Sequence, residues 1–157
     1  MKRIVWDDPD RVARWVQTRV IETGKFEGYS AIGLEDDGKL VAGVVYDYHT
    51  GPSVNASIAS DGSRHWLNPS YLAAIFCYPF RQLGCNRITV FVRTDNHDSQ
   101  RFVTHLGFKQ EGRLRAACAD GSDVIVYGIL KDECRFIEGK YHAALVARLP
   151  RSTLDRV

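Results

Sequence analysis

The sequence predicts a single α/β (α+β) domain built on a mixed, mostly antiparallel sheet with helices on both faces. Its 157 residues, of which 45% are hydrophobic and 25% charged, suit one globular domain with one core. A helical segment precedes three strands, after which helices and strands alternate. The strand–helix–strand unit over about residues 53–93 implies two neighbouring parallel strands.

In the first half of the chain, cap residues and turn signals predict the bounds of one helix and three strands. Pro9 follows two aspartates and opens an apolar pattern of helical period, which predicts a helix from about 9 to 22 closed by Gly24. Two β-type runs flank Asp36-Asp37-Gly38, a hairpin turn signal. A third strand, 53–60, alternates apolar and polar residues, which predicts a half-buried strand with one polar face.

The second half alternates helix and strand. Asn68 is the predicted N-cap of a helix with Pro69 at its first position, and Pro79 is expected to bend or shorten its last turn. The strand "NRITVFVRT", a helix opening at Asn96 and the strand "SDVIVYGIL" follow. The tail from about residue 135 is predicted as a short helix and a loose end. This gives five strands in all.

Several function classes are disfavoured by composition and motifs. The net charge of +2 is too small to indicate nucleic acid, and the longest apolar run is too short to cross a bilayer. The N-terminus has no apolar signal core, so a cytoplasmic location is expected. The four cysteines form no C-x-x-C pair, so no metal site is predicted. Neither G-x-S-x-G nor G-x-x-x-x-G-K-S/T is present.

Two predicted helix starts, near residues 66–70 and 96–99, follow strands and are therefore natural anion sites. Their free N–H groups and positive dipole ends face outward. Arg64 and His65 add positive charge or donors before the first, and the Asn96 amide can both donate and accept at the second.

The stretch "CNRITVFVRTDNHDSQRFVTHLGFKQEGRLR", followed by "DGSDVIVYGILKDE", resembles the GNAT superfamily of acyl-CoA-dependent N-acetyltransferases, closest to its ribosomal-protein-acetylating branch. The pattern is N-x-x-S/A at a helix start, then L-G-F, E-G, and D and Y on the last strand. Its members here are Asn96, Ser99, Leu106, Gly107, Phe108, Glu111, Gly112, Asp123 and Tyr127. The resemblance covers about residues 85–134 by motif and 28–84 by element order.

The resemblance implies that residues 1–157 form one GNAT-like domain with a short C-terminal extension from about 135. It also implies a central splayed pair of parallel strands, with acetyl-CoA (coenzyme A) in the gap between them. The implied activity is N-acetyl transfer by direct attack of an amine, from a small molecule or a protein. The resemblance implies that Asn96 and Ser99 contact coenzyme A. The other candidate cofactor-binding residues are Ser63, Arg64, His65, Trp66, Asn68 and Phe102, of which the first three could replace the missing loop glycines by side-chain contacts.

Structural alternatives exist for several of these residues. Asn96 also suits a helix cap, Gly107 also suits a helix end, and Phe108 suits a core position. The loop "SDGSRHWLNPS" has Gly62 but no later glycine, unlike the usual pyrophosphate loop of the family. Val103 stands where many members carry a tyrosine that protonates the leaving thiolate.

The candidate catalytic residues are His49, Ser57 and Tyr127. His49, in "YDYHT", titrates nearest neutrality and is the candidate base. Ser57, with Asn55, lies on the polar face of the third strand and could orient a substrate or a water. Tyr127 on the last strand is an alternative proton donor.

Two other readings fit the same sequence. The missing glycines and Val103 favour a non-catalytic GNAT-fold binding or assembly protein. The tyrosine/histidine cluster at 46–49 and the basic tail residues Arg148, Arg151 and Arg156 keep open a phage-type DNA-modifying enzyme. The tail stretch "YHAALVARL" packs either on the domain or on a partner subunit, and in the second case the protein is a homodimer.

Overall fold

A computed structural model describes residues 1–20, 25–64 and 68–149. Seven strands form one sheet in the order β1-β2-β3-β4-β5-β7-β6. They are β1 (Lys2–Val5), β2 (Ser30–Asp36), β3 (Lys39–Asp47), β4 (Ser53–Ser60), β5 (Arg87–Arg93), β6 (Lys109–Leu114) and β7 (Val124–Leu130). Neighbours pair antiparallel except β4 and β5, which are parallel. The predicted mixed, mostly antiparallel sheet is confirmed.

Helices lie on both faces of the sheet, as predicted. They are α1 (Pro9–Gln17), α2 (Pro69–Cys77), α3 (His97–Leu106) and α4 (Gly139–Val146). A π-helical turn, Tyr78–Gln82, continues α2 at the predicted proline, and two short 3-10 turns precede α4. None of the helices in the described ranges has the length and apolar composition needed to span a bilayer.

The two sheet faces carry different clusters. The larger cluster lies under α2, α3 and α4 and is called the main core. On this face α2 is buried along nearly its whole length, and Phe76 stacks on Phe136 with ring centroids 4.9 Å apart. Leu145 of α4 is fully buried in the same core. Helix α4 therefore packs on its own domain, the first of the two alternatives for "YHAALVARL".

On the opposite face, α1 lies close to the sheet over two glycines. A Cβ built on Gly33 would meet Val12 at 2.7 Å, and one built on Gly43 would meet Val16 at 2.7 Å. The α1 cluster consists of Val5, Val12, Ala13, Val16, Ala31, Val45 and Ala59. This face is called the α1 face below.

Three elements differ from the sequence prediction. The strands β1 and β6 were not predicted: β1 has only four residues, and β6 is exposed along most of its length. Helix α1 ends at Gln17 rather than near residue 22, because the chain turns at Thr18. Gly24, the predicted end of that helix, lies outside the described residues.

Candidate cofactor and acceptor site

The parallel strands β4 and β5 separate part-way along their length. They pair only at Ser53–Arg87, Val54–Ile88 and Asn55–Thr89. Beyond these pairs β4 continues to Ser60 and β5 to Arg93, and the structure records no pairing between these described segments. A wedge, called the β4–β5 gap below, thus opens toward the carboxyl ends of both strands. The predicted splayed strand pair is confirmed.

Helix N-termini stand at the open end of the β4–β5 gap, because β4 leads into α2 and β5 leads into α3. Asn68 caps α2, where its Oδ1 accepts a hydrogen bond from the Tyr71 N–H at 3.2 Å. Asn96 caps α3, where its Oδ1 accepts one from the Ser99 N–H at 3.1 Å. The remaining free N–H groups and the positive dipole ends suit the phosphates of an elongated anionic cofactor.

The other predicted cofactor residues are distributed around the same end. Ser63 contacts Asp61 through its N–H, which donates to Oδ1 at 2.9 Å, and Arg64 is exposed beside it. Phe102 is half-buried on α3 and packs against the main core. His65 and Trp66 lie outside the described residues.

The three predicted catalytic residues are not brought together. Ser57 lies on β4 beyond the last strand pair, so it borders the β4–β5 gap; its register partner Val45 places it on the α1 face. Tyr127 is 5% exposed on the opposite face, within the main core. Val103, at the position of the family tyrosine, is also buried in that core.

His49 lies at the paired end of β4, opposite to the open end of the β4–β5 gap. It is exposed in the β3–β4 loop, and seven residues of chain lie between it and Ser57. Ser57 alone is four residues along β4 from Ser53, roughly 13 Å at the rise of a strand. His49 instead lines a cavity of about 210 Å³, together with Gly28, Tyr29, Ser30, Tyr46, Val54, Tyr78 and Leu83. His49 therefore lies beside the paired end of β4, and Ser57 borders the open part of the gap.

A polar row crosses the α1 face where the β4–β5 gap begins. Asp47 of β3 lies opposite Asn55 of β4, which lies opposite Thr89 of β5. The Arg87 Nε donates to the Thr89 Oγ1 at 3.2 Å. Burial raises the pKa of the half-buried Asp47 carboxyl. The sequence shows Asp47 within the tyrosine/histidine cluster 46–49, where His49 and not Asp47 is the preferred candidate base.

The ion pair between Arg87 and Glu111, 2.6 Å long, continues this row toward β6. It passes directly over Gly128 of β7, where an added Cβ would lie 2.4 Å from the Glu111 Oε1. The glycine thus gives the ion pair room to lie flat on the sheet.

The β6–β7 loop is fixed by carboxylates. Asp123 accepts from the Arg113 Nε at 2.6 Å and from the Ala116 N–H at 2.8 Å, and these contacts lower the pKa of its carboxyl. Arg93 pairs with Asp95 at 3.0 Å and with Asp120 at 2.7 Å. This loop forms a rigid rim beside the carboxyl end of β5.

No group of three or more His, Cys, Asp or Glu side chains in the described part of the chain is arranged to bind a metal ion. All four cysteines are buried, and none of them forms a disulfide.

Comparison with known proteins agrees with the fold. No family model matches the chain. The uncharacterized N-acetyltransferase YoaA of Bacillus subtilis is 36% identical over a segment that spans 43% of this chain and 41% of that protein, less than half of its length. The spermidine/spermine N-acetyltransferase SpeG of Vibrio cholerae has a TM-score of 0.64 at 15% identity, with 84% of this chain and 96% of that chain covered. The ribosomal-protein-S18-alanine N-acetyltransferase of Escherichia coli has a TM-score of 0.62 at 18% identity, with 83% and 94% covered.

The two structural likenesses cover 84% and 83% of this chain, and they therefore reach beyond the segment of about residues 85–134 that the sequence motifs cover. The predicted resemblance to GNAT acetyltransferases, including one that acts on a ribosomal protein, is thereby confirmed at the level of the fold.

Proposed function

The chain has the GNAT fold, and on that premise we propose that it is an acetyl-CoA-dependent N-acetyltransferase. The observation that carries the proposal is the β4–β5 gap, a wedge bordered by strand edges with two helix N-termini at its open end. Strand edges offer peptide N–H and C=O groups to an extended amide-containing arm. Helix N-termini offer N–H groups to its phosphates. The donor set therefore fits coenzyme A.

Within this proposal, Asn68 and Asn96 hold the two helix ends in place for the phosphates, and Arg64 adds an exposed positive charge. When bound, acetyl-CoA supplies an activated thioester. Peptide N–H groups on the free edge of β4, beyond Asn55, are placed to stabilise the negative charge that develops on an attacked carbonyl oxygen.

The acceptor amine approaches from the α1 face, because the main core fills the other face beneath the β4–β5 gap. Asn55 and Ser57 border the gap on that face and position the water that takes the amine proton. Transfer forms the amide C–N bond and breaks the C–S bond, and the leaving thiolate takes a proton from solvent. Val103 and Tyr127, both buried in the main core, are not assigned to that step.

Isothermal titration with acetyl-CoA tests the cofactor, and release of free thiol in the presence of amines tests the reaction. The expected results are saturable binding and amine-dependent thiol release. Absence of binding at millimolar acetyl-CoA would contradict the proposal. Binding without thiol release from any amine would support the second candidate, a non-catalytic acyl-CoA-binding protein. The presence of Val103 in place of a proton-donating tyrosine favours that candidate.

A further inference from the structure

Asp47 differs from the other half-buried carboxylates of the described residues in having no partner residue. Among residues 1–20, 25–64 and 68–149, it is the one half-buried carboxylate with neither an ion pair nor a hydrogen bond from a neighbouring residue. The other partnerless carboxylates of these ranges are exposed: Glu27, Asp132 and Glu138. A carboxylate that is removed from water without a partner costs free energy, which a positively charged ligand would offset.

Glu35 is a buried carboxylate that, unlike Asp47, has two arginine partners. Glu35 is buried under α1, and Arg3 and Arg11 each donate to it at 2.7 Å. These hydrogen bonds lower the pKa of the Glu35 carboxyl, whereas burial raises that of Asp47. An unpaired, half-buried ionisable group with a perturbed pKa is typical of a functional position.

Asp47 also lies on the side from which an acceptor can reach the β4–β5 gap. It shares the α1 face with Asn55 and Thr89, the last pair before the gap opens. On this face α1 packs on β2, β3 and the near edge of β4. On β5, Phe91 is 48% exposed, whereas Thr89 is buried. The half-buried Asp47 and Asn55 therefore border the approach to the gap, and Thr89 closes the row at its buried end.

We propose that Asp47 binds a positive charge on the acceptor, so that the preferred acceptor is an amine with a second cationic group, such as a short diamine. The inference rests on the proposed acetyltransferase function and names the acceptor class of the same site. Asp47 lies on β3, and β4 separates it from the gap in which the acceptor amine reacts. At strand spacings near 4.8 Å, the Asp47 carboxylate and the reacting amine lie roughly 5–10 Å apart. A chain of about four methylene groups between two nitrogens spans this distance.

The test compares acetyl transfer to 1,4-diaminobutane and to 1-butylamine, which have the same carbon chain and differ in the second ammonium. For the unmodified protein we expect kcat/KM to be at least about tenfold higher for the diamine, the usual effect of a charge-assisted hydrogen bond. In Asp47→Asn this preference should fall to near one, through a higher KM for the diamine with little change in kcat or in the Kd for acetyl-CoA. Asp132→Asn, which removes an exposed carboxylate, is the matched control and should keep the preference.

The outcomes separate the two proposals. If acetyl-CoA binds but the diamine preference is absent, or survives in Asp47→Asn, or neither amine is acetylated, the assignment of Asp47 is overturned while the proposed function stands. If acetyl-CoA does not bind, both fall. A loss of acetyl-CoA binding or of cooperative unfolding in Asp47→Asn alone would mean that the residue is structural, which also overturns the assignment.

Discussion

Replacing Asn96 by aspartate separates the two roles that this residue can have at the start of α3. Aspartate is as good an N-cap as asparagine, since its carboxylate can accept the same hydrogen bond from the Ser99 N–H, now 3.1 Å long. Its charge also suits the positive end of the helix. We therefore expect the free energy of unfolding to change by no more than about 0.5 kcal/mol.

Cofactor binding should respond quite differently. Asn96 is exposed at the open end of the β4–β5 gap, so a carboxylate there would face the phosphates of coenzyme A. One added negative charge roughly 6 Å from a phosphate, partly screened by water, costs about 1 kcal/mol. Loss of the amide donor removes about another 1 kcal/mol, so Kd should rise about thirtyfold.

The assay pairs isothermal titration of coenzyme A with urea denaturation of each variant. Part of the loss should disappear at high salt, because screening weakens the added repulsion. The control is Asp8→Asn, the reverse exchange at the cap of α1, where Asp8 accepts from the Arg11 N–H at 3.3 Å. That helix starts at the sheet edge away from the gap, so its Kd should not change. Equal Kd values for Asn96→Asp and the unmodified protein would refute the cofactor role and leave Asn96 as a cap only.

Three further predictions concern stability. Gly43→Ala should destabilise the protein by about 1–3 kcal/mol in urea denaturation, because the new methyl group would lie 2.7 Å from a valine carbon of α1; an unchanged midpoint would contradict the close packing. Tyr48→Gly should stabilise it by roughly 0.5–1 kcal/mol, because Tyr48 has a φ of 50° yet is 76% exposed; a loss of stability would show that its ring makes a needed contact. The hydrogen bonds from Arg3 and Arg11 lower the folded-state pKa of Glu35, so their contribution is complete above about pH 4.5 and is lost as the pH falls through that lowered pKa. The difference in unfolding free energy between Glu35→Gln and the unmodified protein should therefore shrink on acidification, and a difference independent of pH would argue against it.

The parts of the fold that the sequence predicted well are those where local chemistry and tertiary structure agree. Asp37 and Gly38 both have positive φ, as the two-residue hairpin turn requires, and the predicted strands on either side are present. Asn68 caps α2 and Gly107 ends α3 with a φ of 105°. The strand 53–60 has the predicted bounds.

The missed elements lack a local signal. The strand β6 reads "KQEGRL", is mostly exposed, and contains a register shift against β7 between Gln110 and Gly112, so no period of two appears. The strand β1 is four residues long and is specified by its pairing with β2. In α1, Val20 continues the helical period beyond the residue at which the helix ends.

The candidate site was only partly accessible from sequence for a similar reason. Asn96 and Ser99 follow a motif, whereas Asp47, Asn55 and Thr89 come from three strands and meet only through sheet register. His49 was favoured by its residue type, whereas the fold places it in the β3–β4 loop, beside the paired end of β4. The residue type suggests which side chain could carry a proton, but its position relative to the gap depends on the strand topology.

The three residue pairs that join β4 to β5 have a mechanical consequence. They join the β1–β4 part of the sheet to the β5–β7 part at one end only. The Asn86 N–H donates a hydrogen bond to the Pro52 oxygen at 2.7 Å and strengthens the connection at that end. An extended ligand bound in the β4–β5 gap would form hydrogen bonds with the edges of both strands, as an additional strand would. The amide hydrogens of residues 56–60 and 90–93 would then exchange more slowly with solvent. The stability of the sheet would also increase with the affinity for that ligand.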